Sequence, residues 1–416
     1  MGNPSFLQET KQHGAVRFPF NIYPCSIPGD FPQVALHWQD SMELVFVKKG
    51  RGIVQAGLTT YTAQAGDIYV FAPGVLHALR QLPGEAMEYE NIIFELELLG
   101  GVTTIRTVGG IADFDTRCRD DAQAGKILAP RILAANEGIS VPGGHMAGSV
   151  AVAAHNNGEA LTQLTRASTQ RVDLIKLMIT GGVLDAEVVG EPGVLRMQPE
   201  LVKAACDKAH SLGMIVAAHV ESPEGVMVAL QNGVDSIEHG AQPSDEMITL
   251  FKQRKAFQIS TISPALPYAL FDRSISHATY EQQENGKIVF DGIVALAKAN
   301  LAAGVPVGLG TDVGCPYITH YDMWRELHYF VKYCGVTPAF ALYSATKLNA
   351  RLAGIGDLTG SIEADKQADL IVCSGNPLQN LSALRELDMV VKGGYRIDKP
   401  QIKKMDEVER ELDKFL

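Results

Sequence analysis

The chain has 416 residues, 46% of them hydrophobic and 20% charged, and a formal net charge of −11. That length accommodates two or three domains, and the balance is that of an ordinary globular protein with a sizeable core. The acidic excess argues against a nucleic-acid surface, no uncharged apolar run reaches membrane-spanning length, and "MGNPSFLQETKQHG" lacks the apolar stretch of a secretion signal, so a cytoplasmic protein without nucleic-acid or membrane partners is expected.

Residues 1–98 read as all-β. "MELVFVKKGRGIVQAG", "TYTAQAGDIYVFAPGVLHAL" and "MEYENIIFELEL" are short β-branched or aromatic runs broken by glycine and proline, the pattern of a small barrel or sandwich. From "GVTTIRTVGG" onward the texture changes to short apolar strands alternating with longer helical patterns, which implies βα units around a parallel sheet. The strand candidates are "TTIRTV", "RILAAN", "LIKLMIT", "IVAAHV", "SIEHG", "FQISTI" and "VPVGLGTD". "PELVKAACDKAHSLG" between them has proline near its start and glycine past its end, as helices do. A (β/α)8 barrel needs eight strands, so residues 99–355 read as an incomplete barrel, one unit short where the β-rich segment stands. The resulting seam would expose unpaired backbone groups unless "NIIFELEL" or a neighbouring chain fills it. "TPAFALYSATKLNARLAG" reads as the last long helix, and residues 356–416 as a small β segment with a terminal helix. The six cysteines form no CxxC pair and read mostly as buried small residues, without a disulfide framework.

Active sites of such barrels form at the C-terminal ends of the strands. That rule isolates Lys176, His219, His239 and Asp312. One histidine in an apolar setting is usually a satisfied core residue, but two histidines and an aspartate at equivalent strand ends make a metal site. Lys176 stands in the apolar run "VDLIKLMITGG", where desolvation lowers an amine pKa and leaves neutral amine able to add carbon dioxide; the carbamate is a carboxylate-like ligand. Taken without the histidines, it reads instead as a lysine reaching the barrel mouth or pairing with Asp312. "PGGHMAGS" follows the second strand, so His145 is either a substrate contact or an exposed loop histidine. "GLGTDVG" fails the spacing of a dinucleotide loop.

"GVTTIRTVGG", "LIKLMITGGVLD", "VAAHVESPEG", "SIEHG", "GLGTD" and "GSIEADKQADLIVCSGNP" together resemble the amidohydrolase superfamily, especially its imidazolonepropionase-like and Xaa-Pro dipeptidase-like branches. The resemblance implies a carboxylated Lys176 bridging two divalent metals, zinc first among them, with His219 and His239 as ligands. Asp312 would contact metal and act as general base. The reaction would be hydrolysis of an amide, a peptide (Xaa-Pro or other dipeptide, N-acyl amino acid) or a cyclic amide by metal-activated water. Tyr268, Tyr317 and His320 stand among the loop residues that would set specificity. Family members also begin the barrel with a strand ending in His-x-His, and no such pair occurs in this chain, so at most about one tightly held zinc per barrel is expected.

"ALHWQDSMELVFVKKGRG" followed by "AGDIYVFAPGVLHAL" resembles the cupin domain that senses small effectors in AraC-type regulators. The resemblance puts His37, Glu43 and His77 on cupin metal-ligand positions, with Gln39 replacing a histidine, and the pocket is either a metal site or a dry or sugar-lined cavity. No helix-turn-helix follows it. Two functions therefore compete: a metal-dependent amidohydrolase carrying a cupin, and a cupin binding module fused to an impaired barrel. Self-association is left open by the sequence.

Overall fold

The computed structural model describes residues 9, 21–39, 42–71, 75–94, 97–402 and 404–416. Its first part is antiparallel: β1 (Asn21–Ile27), β2 (Gln33–His37), β3 (Met42–Ala56), β4 (Thr59–Gln64), β5 (Ile68–Phe71), β6 (His77–Gln81) and β7 (Met87–Phe94) share one sheet in the order β1-β7-β3-β6-β2, with β4 and β5 also on β3. The register of β3 against β7 shifts between Val47 and Lys49. Before that irregularity β3 pairs with β5, and beyond it with β4 and β6, so the sheet rolls into a half-barrel. Val45, Val47, Val54, Leu79, Met87 and Tyr89 fill its inside.

The second part is α/β. The seven strand candidates all form strands: β8 (Thr104–Arg106), β9 (Arg131–Leu133), β12 (Leu174–Met178), β13 (Ile215–Val220), β14 (Ser236–His239), β15 (Phe257–Ser260) and β16 (Val307–Leu309). Two three-residue strands, β10 (Gly138–Ser140) and β11 (Ala151–Ala153), lie between β9 and β12 and are too short to leave a periodic signal. The sheet runs β11-β10-β12-β13-β14-β15-β16, all parallel, while β8 and β9 pair separately. Outward-facing Ile175, Leu177, Val216, Ala218 and Ile237 pack under the helices Asn157–Thr169, Pro199–Ser211 and Asp245–Arg254 with Leu164, Val202 and Phe251. The helix Pro199–Ser211 has the anticipated proline in its first turn, and Gly213 follows it at φ 77°.

Among the described residues no strand joins β16 to β8. "NIIF" does not fill that edge, because Asn91–Phe94 pair with β1 and β3 inside the half-barrel, and residues 95 and 96 of "NIIFELEL" lie outside the described residues. Instead the carboxamide of Asn349 meets Leu309 on both sides: the Leu309 N–H donates to Asn349 Oδ1 at 3.1 Å, and Asn349 Nδ2 donates to the Leu309 carbonyl at 2.8 Å. A Cβ on Gly308 would stand 2.4 Å from Asn349 Oδ1, so glycine is what lets the amide come this close. Asn349 starts the last piece of a segment expected as one helix. That segment is Pro338–Tyr343 in α form, Ser344–Leu348 as a π turn and Asn349–Leu352 in α form again.

The chain closes with the antiparallel strands β17 (Leu370–Val372), β18 (Met389–Lys392) and β19 (Tyr395–Asp398), then the helix Asp406–Leu412. Met42 of β3, Leu98, Leu99 and Val390 of β18 form one small apolar cluster, which joins half-barrel, junction and closing sheet. All six cysteines are free, but only Cys206 and Cys334 are fully buried, so the expectation that most are core residues is corrected. No helix among the described residues is long and apolar enough to cross a membrane.

Candidate metal and hydrolytic centre

Because the strands are parallel, their C-terminal ends open on one side, and alternation decides which side chains face the interior. On β12, Ile175 and Leu177 turn to the helices, so Lys176 faces inward, opposite Ala217 of β13. On β13 the same alternation sends Val216, Ala218 and Val220 outward and leaves His219 inside. On β14, Ile237 faces the helices while Ser236 and Glu238 face the interior, where Arg106 of β8 meets both. Strict alternation would send His239 outward with Ile237. Its φ of 70° breaks the alternation, and the ring sits 4.8 Å from that of His219. Asp312 is held at φ 49°, so both of these strand-end residues occupy the left-handed region that costs ordinary residues about 1 kcal/mol or more.

The structure brings Lys176, His219, His239 and Asp312 into one electrostatic neighbourhood and adds residues that the strand-end rule did not select. The tightest set is His219, Glu221 and His239, whose ligand atoms all lie within 4.8 Å of one another. Asp312 is outside that set, but its charge acts on Lys176, His239 and Glu221, and its Oδ2 accepts a hydrogen bond from Cys315 Sγ at 3.6 Å. Glu221 follows His219 by two residues and so continues the same face; this period-two signal was present in "AAHVE". Glu238 is paired by Arg106 Nη2 at 2.7 Å, and that guanidinium also donates to Ser236 Oγ at 3.3 Å.

Burial sets the protonation states. It pushes the Lys176 amine down to about 8, against the upward pull of the Glu238 and Asp312 charges. It lowers His239 to about 4 and His219 well below the ordinary imidazole range, with neighbouring His145 and His239 adding to the effect on His219. It raises Glu221 to about 8, because one backbone hydrogen bond from Val183 at 2.9 Å does not offset burial and the Asp312 and Asp185 charges. Two neutral imidazoles and a partly neutral amine stand together, the protonation pattern in which nitrogen ligands accept a cation. The second imidazole nitrogens are already placed: His239 Nδ1 is 2.7 Å from Thr261 Oγ1, and His219 Nε2 donates to the Gly181 carbonyl at 3.1 Å. That second contact engages one His219 nitrogen and leaves Nδ1 as the atom free to ligate.

His145 lies in this site, its ring stacked on that of His219 at 4.0 Å and 10°. The other loop residues make contacts of their own. The Tyr317 hydroxyl donates to the Ile275 carbonyl, His320 Nδ1 is 3.4 Å from Glu97 at the junction, and Tyr268 is buried against the helix Tyr280–Ala303.

The second cluster is in the half-barrel. Glu43 Oε2 accepts from His77 Nε2 at 2.7 Å and Gln39 Nε2 at 3.1 Å, and stands 3.8 Å from His37 Nε2. His37, Glu43 and His77 form the other group with ligand atoms within 4.8 Å. Phe71 stacks on His77 at 4.1 Å. Gln39 Oε1 is buried and has no hydrogen-bond partner among the described residues.

Residues 95–397 match the model of the amidohydrolase family, and residues 27–129 that of the AraC-like ligand binding domain. The two overlap over residues 95–129, a range that contains β8 and the helix Phe114–Gln123. Ochratoxinase of Aspergillus niger is 26% identical over 336 residues, 73% of this chain and 67% of its own length. The crystal structure of a provisionally assigned prolidase from Bifidobacterium longum superposes with a TM-score of 0.72 at 39% identity, over 76% of this chain and 78% of that one. A Xaa-Pro dipeptidase with bound methionine in its active site gives 0.65 at 31% identity, over 73% and 76%.

Proposed function

Since the chain belongs to the amidohydrolase family and is a hydrolase of carbon–nitrogen bonds, we propose that it is a metal-dependent hydrolase of small amides and peptides, with Xaa-Pro dipeptides and N-acyl amino acids as the first substrates to try. The observation that carries the reading is the convergence of neutral His219 and His239 on Lys176 at the mouth of a parallel sheet. Those residues fit one divalent metal: two imidazoles and a carboxylated Lys176 would hold it, zinc being the natural occupant of such a set. A bound metal would polarise the scissile carbonyl and make water a nucleophile at neutral pH. Asp312 accepts the proton that water gives up, and His145 contacts a substrate oxygen. We read the open edge between β8 and β16 as the place of an absent first strand, so the second metal position of complete relatives lacks its ligands here. The match across the whole α/β part favours hydrolysis over an inert remnant beside a binding module.

A second site is favoured by the orphaned Gln39 Oε1 and the shared carboxylate of Glu43. The half-barrel takes a small ligand or a cation on His37, Glu43 and His77.

The test uses the full chain loaded with zinc and offered Xaa-Pro dipeptides, N-acyl amino acids and cyclic amides. Turnover is expected for at least one of the three, with loss in Asp312→Asn. About one zinc is expected in the barrel, removed by His239→Ala. A barrel that binds no metal, or turnover that survives His239→Ala, overturns the reading.

A further inference from the structure

We infer that Asp185, in the loop after β12, is a positioning residue that holds the His145 imidazole with Nε2 presented to the substrate. The inference rests on the reading of His145 as a substrate contact and adds the group that makes that contact specific.

The observations are local and mutually constraining. After Gly182 the chain makes a single tight turn, Val183–Asp185. Its two ends act on opposite sides of the site. The Val183 N–H donates to Glu221 Oε2 at 2.9 Å, while Asp185 Oδ2 takes His145 Nδ1 at 2.5 Å and the Gly182 N–H at 3.3 Å. The His145 carbonyl is separately pinned by Ser140 Oγ at 2.9 Å. With its backbone fixed at one end and Nδ1 fixed at the other, the ring has one orientation, flat against His219. Gly182 leaves the room for this. A Cβ there would lie 3.1 Å from His145 Cε1 and 3.2 Å from both His219 Cε1 and Glu221 Oε2, so any side chain would press the stacked rings and the carboxylate apart. Gly182, the second of the two glycines closing "LIKLMITGG", thus has a use beyond ending the run.

A carboxylate on one imidazole nitrogen decides what the other can do. An ionised carboxylate accepts only, so Nδ1 carries the hydrogen of that bond and Nε2 is left for the substrate. Among the described residues Nε2 has no protein partner. A substrate oxygen, either the scissile carbonyl or a terminal carboxylate, is the chemistry that a nitrogen fixed in this way recognises. Without Asp185 the ring is free to rotate about its own axis and to exchange tautomers, and the nitrogen facing the substrate is no longer defined.

Three measurements on the full-length, zinc-loaded chain test this. Proton–nitrogen spectra of protein labelled at histidine nitrogen, with His145→Gln used only to identify the His145 signals, report which nitrogen is protonated. Steady-state kinetics with an Xaa-Pro dipeptide and an N-acyl amino acid report the consequence. Thermal unfolding checks that the half-exposed site tolerates the change. In Asp185→Asn the His145 nitrogen pattern is expected to change and kcat/KM to fall about 10- to 100-fold, mostly in kcat, with the unfolding midpoint held; Asp185→Glu, which restores the carboxylate, recovers part of the loss. His145 signals in Asp185→Asn that superpose on the parent overturn the inference, and so does kcat/KM within about twofold of the parent. If the parent hydrolyses none of the substrates, the functional reading fails, and the nitrogen spectra alone still decide whether Asp185 holds His145.

Discussion

The half-barrel and the barrel mouth each bring histidines and a glutamate together, and the two clusters are electrostatic opposites. In the half-barrel, burial pushes the Glu43 carboxyl up, but hydrogen bonds from His37 and His77 prevail and hold it near about 2, while the same contacts raise His37 despite its own burial. In the barrel, Glu221 goes up to about 8 and His239 down to about 4, because burial outweighs the opposite charges nearby, Lys176 for Glu221 and Asp312 and Glu238 for His239. The residue types are nearly the same. What differs is adjacency: Glu43 sits between its histidines, whereas at the barrel mouth Glu221 accepts a backbone N–H and His219 and His239 turn one nitrogen each to neutral oxygens. A cluster that neutralises itself is a stable ion group. A cluster of uncharged donors keeps lone pairs that a cation can take without displacing protons.

The largest effects separate the two by metal and by rate. His239→Ala should remove the barrel zinc and lower turnover at least about 100-fold, and Glu43→Gln should leave turnover within about twofold of the parent. As pH is lowered from neutrality, zinc bound at the half-barrel should be released before zinc bound at the barrel. Metal there competes with protons on His37, which the protein holds above its usual range, whereas His219 and His239 have little proton affinity to compete with. Elemental analysis of both variants across pH 7 to 5 reads this out. Release in the reverse order would break the contrast between the sites.

How far each cluster was legible in the sequence follows from the same geometry. Lys176, His219, His239 and Asp312 could be read because strand ends in a parallel barrel are predictable, and the apolar runs carrying them leave little ambiguity. Glu221 obeys the alternation that selects His219 but lies one residue past the end of β13, where the strand pattern no longer fixes a side chain's direction. Asp185 acts from a single tight turn and Ser140 from the end of a three-residue strand, both too short for a periodicity that marks a side chain's direction. Glu238 and His239 are neighbours that both face inward, which no period-two pattern allows; only the positive φ at His239 makes it so. In the half-barrel all four residues singled out, His37, Gln39, Glu43 and His77, converge, because strand pairing fixes which side chains face one another: His37 lies directly opposite His77 in the β2–β6 ladder. The sequence shows seven strand runs where a closed barrel has eight, which is the ground for expecting an open edge. The cover of that edge by Asn349 was not legible, since a single polar residue in a helical run gives no sign of where it reaches.

That cover supplies the next prediction, which sharpens the contrast in how the two regions complete their sheets. Half-barrel strands satisfy one another through long antiparallel ladders, whereas β16 relies on one side chain at Leu309, which is 4% exposed. Asn349→Ala leaves a buried N–H and a buried carbonyl without partners, at about 1–3 kcal/mol each, so a loss of about 3 kcal/mol in denaturant unfolding is expected. Asp312 is three residues further on, and turnover should fall with it. A change below about 0.5 kcal/mol would mean that water replaces the amide and that the edge is not sealed by Asn349.

The smallest effect belongs to the self-neutralised cluster and has a definite sign. Glu43 has a folded-state pKa depressed to about 2 from an ordinary 4.5, so its stabilisation is fully present above pH 4.5 and is lost as pH falls from there towards 2. His37 is raised above 6.5, so its share is present below 6.5 and fades as pH rises through the folded value. The cluster therefore stabilises the half-barrel most between about pH 4.5 and 6.5. Glu43→Gln keeps the volume and an acceptor for Gln39 but removes the charge from the histidine contacts, at a cost of about 2 kcal/mol in the metal-free chain near pH 5.5. Because other buried carboxylates titrate in the same range, the diagnostic quantity is the difference between parent and variant. It should shrink as pH drops below 4.5 and also as pH rises past 6.5, since each excursion removes one partner's charge. A difference that stays constant from pH 3 to 8 would show that Glu43 acts through packing alone, and that the two clusters are less unlike than their hydrogen bonds make them.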